Sequence, residues 1–413
     1  MLSTISKYYR KWVSYPIRHG LRHFVYRIMH LIRRDEFVGI DSKYFLVKAE
    51  EVCSENMPLF CVAPQTYQNR KLTPEECKPQ NVPFRSRAYR LNKVACYGAS
   101  DIIKLDGCHY LYEIRDYYRK VGRLISSRDG VPLDVDEPRY FVLRHFKEAE
   151  HLKKGILLSS YFASNYYHFT FQSLAKLRLC GTIDKNVPLL VNEALAKYPS
   201  FQQLLEICNV DKREIIMLSE KMQYDVDELY YISPQMISVP NYRAGAVKMP
   251  DDDLYAEASL NYLREMMLPQ MDKEWKVPEK VFLARRYASG RRGYNEEECY
   301  NVLKQYGFVE VRPETLSLGQ QIALFNKAKC IVGASGAAFT NLIYGNKACV
   351  YVELVGAKSD DSIFSTLAAF IGAQIIRLCD NTKGELIDAS QEHEAYHIDT
   401  AELKELIEQI LGK

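Results

Sequence analysis

The chain has 413 residues, of which 47% are hydrophobic and 26% are charged. These values exclude a disordered or low-complexity chain and a single small module, and they predict roughly two or three globular domains. The net charge of +3 hides an asymmetry, because residues 1–34 carry eight lysines and arginines and no acid. The rest of the chain carries 47 basic and 52 acidic residues, so an extended nucleic-acid-binding surface is not expected there.

Residues 1–40 are predicted to form a basic amphipathic arm. Apolar and aromatic residues alternate with the basic ones, with breaks near Pro16 and Gly20. Such a segment can lie on an anionic membrane surface, and a helix packed on the body with its charges in solvent is the alternative. The sequence contains no uncharged apolar run of about 18 residues, so a transmembrane helix is not expected. Basic residues interrupt the region where the apolar core of a secretory signal would lie, so a secretory signal is not expected either.

The eleven cysteines are odd in number and contain no C-x-x-C pair. Several lie inside apolar runs and are typical of small buried hydrophobic residues. This usage favours a reducing cytoplasm over a disulfide framework or a structural zinc site. We therefore expect a cytoplasmic protein, peripheral to the inner face of the membrane if the arm binds there, with no metal.

The hydrophobic pattern divides the remaining chain. Residues 35 to about 95 contain five prolines and predict loops and extended segments. Strand-length apolar runs then alternate with helix-length segments, first over residues 155–218 and again over residues 281–378. This alternation predicts an α/β protein with two facing Rossmann-like domains. The predicted units are the arm at 1–40, an N-terminal domain with an irregular lead-in at 41–245, a C-terminal domain at 246–398, and a C-terminal helix at 399–413.

Several arginines follow the strand predicted at residues 281–284. They are Arg285, Arg286, Arg291 and Arg292. A guanidinium binds phosphate through two parallel hydrogen bonds, and ligands of parallel sheets bind at the carboxyl ends of strands. Their position therefore favours a diphosphate or nucleotide-sugar site over a solvated basic loop.

Small residues fill the turn after a later buried strand, in the run Val332-Gly-Ala-Ser335-Gly336-Ala337-Ala-Phe-Thr-Asn341. They let backbone N–H groups approach an anion at the start of a helix, although they also permit close packing of helix on sheet. Together with the arginines the turn indicates an anion site. Glu353 ends the next apolar run and is a candidate for binding ribose hydroxyls, with an outward-facing glutamate at the sheet edge as the alternative.

His168 lies in a polar run between a predicted strand and a predicted helix of the first half. A histidine titrates near neutrality and can accept a proton from an acceptor hydroxyl. A histidine hydrogen-bonded within the core is the alternative interpretation.

Three further motifs are weaker. His393-Glu-Ala-Tyr-His397 fits the zinc-protease pattern H-E-x-x-H, but it alternates like a strand, so no zinc site is expected. Asp251-Asp252-Asp253 follows a proline and is typical of an acidic first helical turn. Ser335 lies in a run similar to the G-x-S-x-G elbow of hydrolases, with Ala337 in place of the last glycine. Because Asp388 and a histidine follow in the required order, a serine hydrolase remains an alternative.

Taken together, these motifs resemble glycosyltransferase family 61 in order over roughly residues 93–411. The resemblance rests on Asn165-Tyr-Tyr-His168-Phe, Val281-Phe-Leu-Ala-Arg285-Arg286, Arg291-Arg292-Gly-Tyr-Asn295-Glu, the turn from Gly333 to Asn341, and Glu353-Leu. It implies a GT-B-like fold and inverting, metal-independent transfer from a nucleotide sugar. Bacterial members are generally linked to capsular or other surface polysaccharide synthesis.

The resemblance also implies roles for individual residues. His168 would be the catalytic base, and the donor would be bound by Arg285, Arg286, Arg291, Ser335, Gly336, Ala337, Asn341 and Glu353. Family members commonly carry histidine where Ser335 stands, so donor binding would depend more on the arginines. That departure also motivates a second hypothesis, a non-catalytic membrane-peripheral scaffold of a polysaccharide assembly complex. The expected partners are a nucleotide-sugar donor and a glycan or lipid-linked acceptor, with an anionic membrane surface as a candidate for residues 1–34, no nucleic acid and no cofactor.

Overall fold

A computed structural model gives the fold of the protein. It describes residues 36–74, 76–113, 148–160, 162–238, 249–285, 293–358, 360–382 and 394–412. The basic arm up to residue 35, the boundary predicted between residues 245 and 246, and both Arg286 and Arg291 lie outside these ranges. The division into domains at 41–245 and 246–398 therefore stays a prediction.

The described residues form three β-sheets, whose strands are numbered along the chain. The nine-stranded sheet contains β1 (Glu36–Val38), β2 (Ala49–Asn56), β7 (Arg85–Tyr97), β8 (Ile103–Asp106), β9 (His109–Leu111), β10 (Ala149–Leu157), β11 (Leu189–Asn192), β12 (Ile215–Leu218) and β13 (Gln223–Ile232). The seven-stranded sheet contains β4 (Gln65–Gln68), β5 (Lys71–Thr73), β16 (Lys280–Leu283), β17 (Val309–Val311), β18 (Cys330–Ala334), β19 (Val350–Val355) and β20 (Gln374–Cys379). A four-stranded sheet contains β3 (Leu59–Val62), β6 (Pro79–Val82), β14 (Met236–Ser238) and β15 (Asp253–Ala256).

Helices connect many of these strands. The α-helices are α1 (Lys43–Leu46), α2 (Tyr166–His168), α3 (Pro199–Cys208), α4 (Glu257–Met267), α5 (Glu296–Gln305), α6 (Leu318–Lys327), α7 (Ile363–Phe370) and α8 (Thr400–Leu411). A π-helical turn covers Phe169–Ser173, and 3₁₀ segments cover Leu174–Thr182, Glu193–Lys197, Pro250–Asp252, Leu268–Gln270, Pro313–Thr315 and Ala337–Tyr344. The segment from Tyr166 to Thr182 is thus built of three helical segments of different pitch.

Each large sheet has a parallel centre. In the nine-stranded sheet the order β12-β11-β10-β13 is parallel throughout, and in the seven-stranded sheet the order β17-β16-β18-β19-β20 is parallel throughout. The prediction of an α/β protein with parallel sheets is therefore confirmed. In such sheets a ligand crevice forms where the strand order reverses, which in the seven-stranded sheet is between β16 and β18.

The prediction of loops and extended segments over residues 35 to about 95 underestimated the regular structure, because this region contributes β1 to β7. Strand β4 extends the seven-stranded sheet by pairing parallel to β20, and β3 pairs with β15. Most of the prolines lie in the connections between these strands, and Pro79 begins β6 at an edge of the small sheet. Proline is tolerated at the first residue of an edge strand, where its missing N–H interrupts no ladder.

One hydrophobic cluster contains residues of both parallel sheets. It includes Ile156 of β10 and Leu189 of β11 together with Val281 of β16 and Ile331 of β18. All four side chains are fully buried. The two halves of the molecule therefore pack through a shared core, which fixes the position of the first sheet's loops relative to the strand ends of the second.

Candidate functional site

A cavity of about 330 Å³ opens at the carboxyl ends of β16, β17 and β18. Both halves of the molecule line it. The first half contributes Tyr166, Ser200 and Phe201, and the second contributes Leu283, Ala284, Arg285, Pro313, Glu314, Leu318, Gln321, Ala334, Gly336, Ala337, Ala338 and Asn341. We refer to this space as the strand-end cavity. It lies where the strand order reverses, which is the expected ligand position in a parallel sheet.

Arg285 directly follows β16 and is held in place at the strand-end cavity. Its Nη1 donates a hydrogen bond to the backbone carbonyl of Ser335 over 3.1 Å, and its backbone N–H donates to Oε1 of Glu296 over 2.7 Å. The guanidinium carbon lies 5.7 Å from the centre of the Tyr294 ring, within the range of a cation–π interaction. The positive charge is thereby fixed between the ends of two adjacent strands.

Tyr294 is itself supported by a second tyrosine. Its ring stacks on that of Tyr396 with 5.2 Å between centres, and the Tyr396 hydroxyl donates to the carbonyl of Leu354 at the end of β19. Burial raises the pKa of Tyr294, so its ring stays neutral at physiological pH. A stack of two tyrosines thus holds the guanidinium of Arg285 at the sheet edge.

The small-residue turn connects β18 to the 3₁₀ segment that begins at Ala337. The Ser335 N–H donates to the carbonyl of Leu354 over 2.9 Å, while Gly336 and Ala337 line the strand-end cavity. A Cβ on Gly333 would lie 2.8 Å from Cβ of Leu283, so glycine is needed there for the close approach of β16 and β18. A Cβ on Gly336 would lie 3.8 Å from Nη1 of Arg285, which is ordinary contact.

Asn341 is fully buried and joins the two halves. Its Oδ1 accepts a hydrogen bond from the Tyr166 hydroxyl over 2.8 Å, and its Nδ2 donates to Oε1 of Gln321 over 3.1 Å. Nε2 of Gln321 in turn donates to the carbonyl of Leu316 over 3.2 Å. The chain of bonds fixes which side of the Asn341 amide faces each neighbour, so this residue shapes the cavity wall.

Glu353 is placed differently from the other predicted donor residues. Its side chain is 1% exposed, and its Oε2 accepts a hydrogen bond from Nε of Arg377 on the neighbouring strand over 2.7 Å. Arg377 also lies 3.8 Å from Oδ1 of Asp361. Burial lowers the pKa of Arg377, but the two carboxylates outweigh it and raise the pKa overall. The expectation that Glu353 binds ribose hydroxyls therefore conflicts with its burial in an ion pair.

His168 ends the short helix α2. Oδ1 of Asn165 caps this helix by accepting the N–H groups of Tyr167, over 2.9 Å, and His168, over 3.4 Å. The imidazole is partly buried and stacks on Phe162 with 4.6 Å between ring centres. Residues two apart on a helix face different sides, and the strand-end cavity is lined by Tyr166 rather than His168.

The structure thus brings Arg285, Gly336, Ala337 and Asn341 to one cavity. Ser335 is connected to this cavity because its backbone carbonyl accepts a hydrogen bond from Arg285. It does not bring His168 or Glu353 to that lining. Sequence reasoning missed Glu314, which follows β17 and lines the cavity. Its position after a strand of the parallel sheet was the available signal.

The weaker motifs have structural roles where they are described. Residues 394–399 are not helical and α8 begins at Thr400, so the described part of the H-E-x-x-H run lacks the geometry of a zinc helix. His393 and Asp388 lie outside the described residues. Asp252 belongs to a single 3₁₀ turn, and its Oδ2 accepts the N–H of Met249 over 2.7 Å.

The described residues contain no candidate metal cluster and no candidate membrane-spanning helix. No group of three or more histidine, cysteine, aspartate or glutamate side chains in this part of the chain is arranged to hold a metal ion. Among the same residues, no helix combines the length and apolar character needed to cross a membrane.

Residues 166–352 match the family model described as Glycosyltransferase 61, which covers a little under half of the chain. The matched segment begins at Tyr166 and includes Arg285 and the turn from Ser335 to Asn341, so it contains most of the strand-end cavity. No curated protein matches the chain. The family indicates a glycosyltransferase, which acts on a sugar donor and an acceptor. The resemblance seen in the sequence is confirmed for residues 166–352, which match glycosyltransferase family 61.

Proposed function

We propose that the protein is an inverting hexosyl- or pentosyltransferase of GT-B-like architecture, acting in the synthesis of capsular or another surface polysaccharide. Residues 246–398 bind a nucleotide sugar, and residues 41–245 bind a glycan or lipid-linked acceptor. The observation that carries this proposal is the fixed position of Arg285 beside Ser335, across the ends of β16 and β18. A diphosphate is the chemical group that such a fixed cation at a strand reversal favours.

The leaving diphosphate is stabilised by charge and by backbone donors. Arg285 provides a guanidinium, and in this proposal Arg286 and Arg291, which follow it in the sequence, add two more. The small residues Gly336 and Ala337 let an anion approach the first N–H groups of the 3₁₀ segment. Transfer is metal-independent because these groups neutralise the charge that develops on the leaving oxygen. Equal turnover with and without a chelator supports this point, and turnover that requires added Mg²⁺ or Mn²⁺ contradicts it.

His168 is the general base in the proposed reaction. The acceptor hydroxyl attacks the anomeric carbon as its proton passes to the imidazole, and the bond from that carbon to the diphosphate oxygen breaks. A nucleoside diphosphate leaves, and attack on the opposite face inverts the anomeric configuration. The support is that His168 lies in the segment that connects β10 to β11, two parallel strands of the first sheet.

Nucleotide binding tests the donor site. Arg285→Ala should weaken binding of a nucleoside diphosphate by about ten- to a hundredfold, because a hydrogen bond to a charged group contributes about 1.5–3 kcal/mol. Arg285→Lys keeps the charge but loses the two-pronged geometry, so an intermediate loss is expected. Arg70→Ala is the matched control, because its side chain is 69% exposed and paired with Glu405. Equal affinities for the wild type and Arg285→Ala would contradict the assigned site.

Turnover tests the base. His168→Gln should lower kcat by about 10²–10⁴-fold and leave nucleotide affinity unchanged, whereas His151→Gln should change neither. The side chain of His151 is 62% exposed and therefore serves as the control. Full activity of His168→Gln would show that a group other than His168 is the general base. A wild-type protein that neither binds nor turns over nucleotide sugars would instead favour the scaffold hypothesis.

The proposal also places the protein in the cytoplasm, at the inner face of the membrane, through residues 1–34. Three neighbouring apolar side chains are well exposed, with Tyr44 at 49%, Leu46 at 57% and Val47 at 77%. The Tyr44 ring stacks on His109, whose backbone pairs with Glu36 at the start of β1. An apolar patch thus lies beside the point where the chain enters the folded body from the basic segment. Apolar side chains next to a cationic segment suit an anionic lipid surface.

Sedimentation with phosphatidylglycerol vesicles tests this placement. The full chain should sediment with anionic vesicles but not with phosphatidylcholine vesicles, and a chain lacking residues 1–34 should stay in solution. Leu46→Asp should weaken sedimentation of the full chain. A truncated chain that still sediments would contradict the role of the arm.

A further inference from the structure

The strand-end cavity extends to one side of the proposed diphosphate position. A diphosphate between the ends of β16 and β18 could extend its nucleoside over β17 or over β19, because these strands flank the pair on opposite sides. The cavity is lined by Pro313 and Glu314, which follow β17, and by no described residue that follows β19. The available space therefore directs a nucleoside over the end of β17.

Among the described residues of this lining, Glu314 is the acidic one and Arg285 is the basic one. It lies in the 3₁₀ turn Pro313–Thr315, which is closed by hydrogen bonds from the N–H of Thr315 to the carbonyl of Arg312 and from the N–H of Leu316 to that of Pro313. Its side chain is exposed, and within the described part of the chain it forms no ion pair or hydrogen bond. A fixed backbone thus presents a carboxylate that is available for a ligand.

Glu353, a second glutamate near the ends of these strands, is not accessible to a ligand in the same way. Oε2 of Glu353 is hydrogen-bonded to Arg377, and its Oε1 has no hydrogen-bond partner among the described residues but is buried. Because the side chain is 1% exposed, a ligand could reach it only if the residues that cover it moved. A carboxylate that accepts hydrogen bonds from two adjacent hydroxyls forms charge-assisted bonds, which are stronger than neutral ones. In dinucleotide-binding Rossmann folds, an acidic residue after the second strand binds a ribose hydroxyl. Strand β17 is the second strand of this parallel unit in chain order.

We propose that Glu314 forms a ribose-diol subsite, through which the protein distinguishes ribonucleotide from 2′-deoxyribonucleotide donors. The inference rests on the proposed function, because it takes the diphosphate position from Arg285 and Ser335. In this proposal Glu314, rather than Glu353, contacts the donor ribose.

Calorimetric titration tests the subsite. The probes are the diphosphates of uridine, guanosine, cytidine and adenosine, each with its 2′-deoxy counterpart. The wild type should bind at least one ribonucleotide about tenfold or more tightly than the matching deoxynucleotide, as expected for a hydrogen bond to a charged group. Glu314→Ala should reduce ribonucleotide affinity to the deoxynucleotide level and leave deoxynucleotide affinity unchanged or improved. Glu297→Ala is the control, since Glu297 is an exposed acid on helix α5 outside the cavity lining and should keep the full preference.

The outcomes separate the two proposals. If the wild type binds nucleoside diphosphates but Glu314→Ala keeps the ribose preference, the subsite is wrong and the proposed function stands. The same conclusion follows if Glu353→Gln abolishes the preference and Glu314→Ala does not. If the wild type binds none of the eight probes, the proposed function and the subsite both fail. Because the Glu314 side chain is exposed, thermal unfolding of Glu314→Ala should match that of the wild type, so a loss of preference would not reflect misfolding.

Discussion

The Tyr166 hydroxyl donates a hydrogen bond to Oδ1 of Asn341 over 2.8 Å and joins segments 175 residues apart in the chain. Tyr166 belongs to the segment that follows β10 of the first parallel sheet, whereas Asn341 lies in the 3₁₀ segment that follows β18 of the second. Both residues line the strand-end cavity. The bond therefore sets the relative position of the two halves at the candidate donor site.

Tyr166→Phe should lower the free energy of unfolding by about 1–3 kcal/mol, because it leaves the buried Oδ1 of Asn341 without its donor. Urea denaturation measures the change. Tyr198→Phe is the control, since Tyr198 is 38% exposed and water can replace its hydroxyl contacts. Similar small losses for both variants would show that the bond to Asn341 contributes little.

The shared location of Arg285 and the turn at Ser335 was predictable from the sequence. Alternating strands and helices force a parallel sheet, and a parallel sheet places the residues after each strand at one edge. No side-chain contact had to be known for this prediction. The same rule, applied to the strand at Val309–Val311, would also have selected Glu314.

The role of Glu353 was not predictable, because it depends on which residue the neighbouring strand places opposite. Glu353 is paired in register with Arg377, which lies 24 residues further along the chain. A glutamate in an apolar run has the same local sequence pattern whether its side chain contacts a ligand or a buried arginine. Strands β1 to β6 were predicted only as loops and extended segments for a similar reason, since a sheet partner can be far away in the sequence, as the pairing of β4 with β20 illustrates.

Arg377→Met should be strongly destabilising. It leaves the carboxylate of Glu353 buried without its partner, which costs about 3–5 kcal/mol for pairs of this kind. The double variant Glu353→Gln with Arg377→Met removes the charge as well and should recover part of the loss. Lys329→Met breaks the surface pair with Glu279, whose side chains are 67% and 65% exposed, and should cost about 0–1 kcal/mol. Equal effects of the buried and surface variants on urea denaturation would contradict the prediction.

Asp399 should make the stability of the C-terminal helix depend on pH. Burial raises the pKa of this carboxyl, but hydrogen bonds from the N–H groups of Ala401 and Glu402 and from Asn381 outweigh burial and lower the pKa overall. A carboxyl whose pKa is lower in the folded state stabilises the fold when charged. Its contribution is therefore present at neutral pH and is lost as the pH falls through the folded-state pKa.

Asp399→Ala should cost about 1 kcal/mol at pH 7, and the difference from the wild type should shrink as the pH falls below about 4. Ser317→Ala is the matched control. Ser317 caps helix α6 by accepting the N–H of Gln320, and its hydroxyl does not titrate in this range. Its cost should therefore stay constant over the same pH range. Chemical denaturation of both variants at about pH 7 and about pH 3.5 provides the comparison, and a deficit of Asp399→Ala that does not change with pH would contradict the assignment.

Gly98→Ala should disturb both stability and the segment that carries His168. Gly98 follows β7, and a Cβ at this position would lie 2.1 Å from the backbone carbonyl oxygen of Ser219, which leads into β13. Backbone atoms cannot rotate away as a flexible side chain can, so the cost should be about 1–3 kcal/mol or more. The Gly98 carbonyl also accepts a hydrogen bond from the Ser159 hydroxyl, directly after β10. A shift at Gly98 is therefore transmitted to the loop that leads to His168.

Gly181→Ala is the control, because no heavy atom would lie within 4 Å of a Cβ at that position. It lies in a 3₁₀ segment, where alanine should change stability by no more than about 1 kcal/mol. Thermal unfolding should separate the two variants by several degrees. Amide hydrogen exchange should be faster over residues 159–168 in Gly98→Ala and unchanged there in Gly181→Ala. If Gly98→Ala unfolds and exchanges like the wild type, the backbone at Gly98 can move away from Ser219 without a measurable loss of free energy of unfolding.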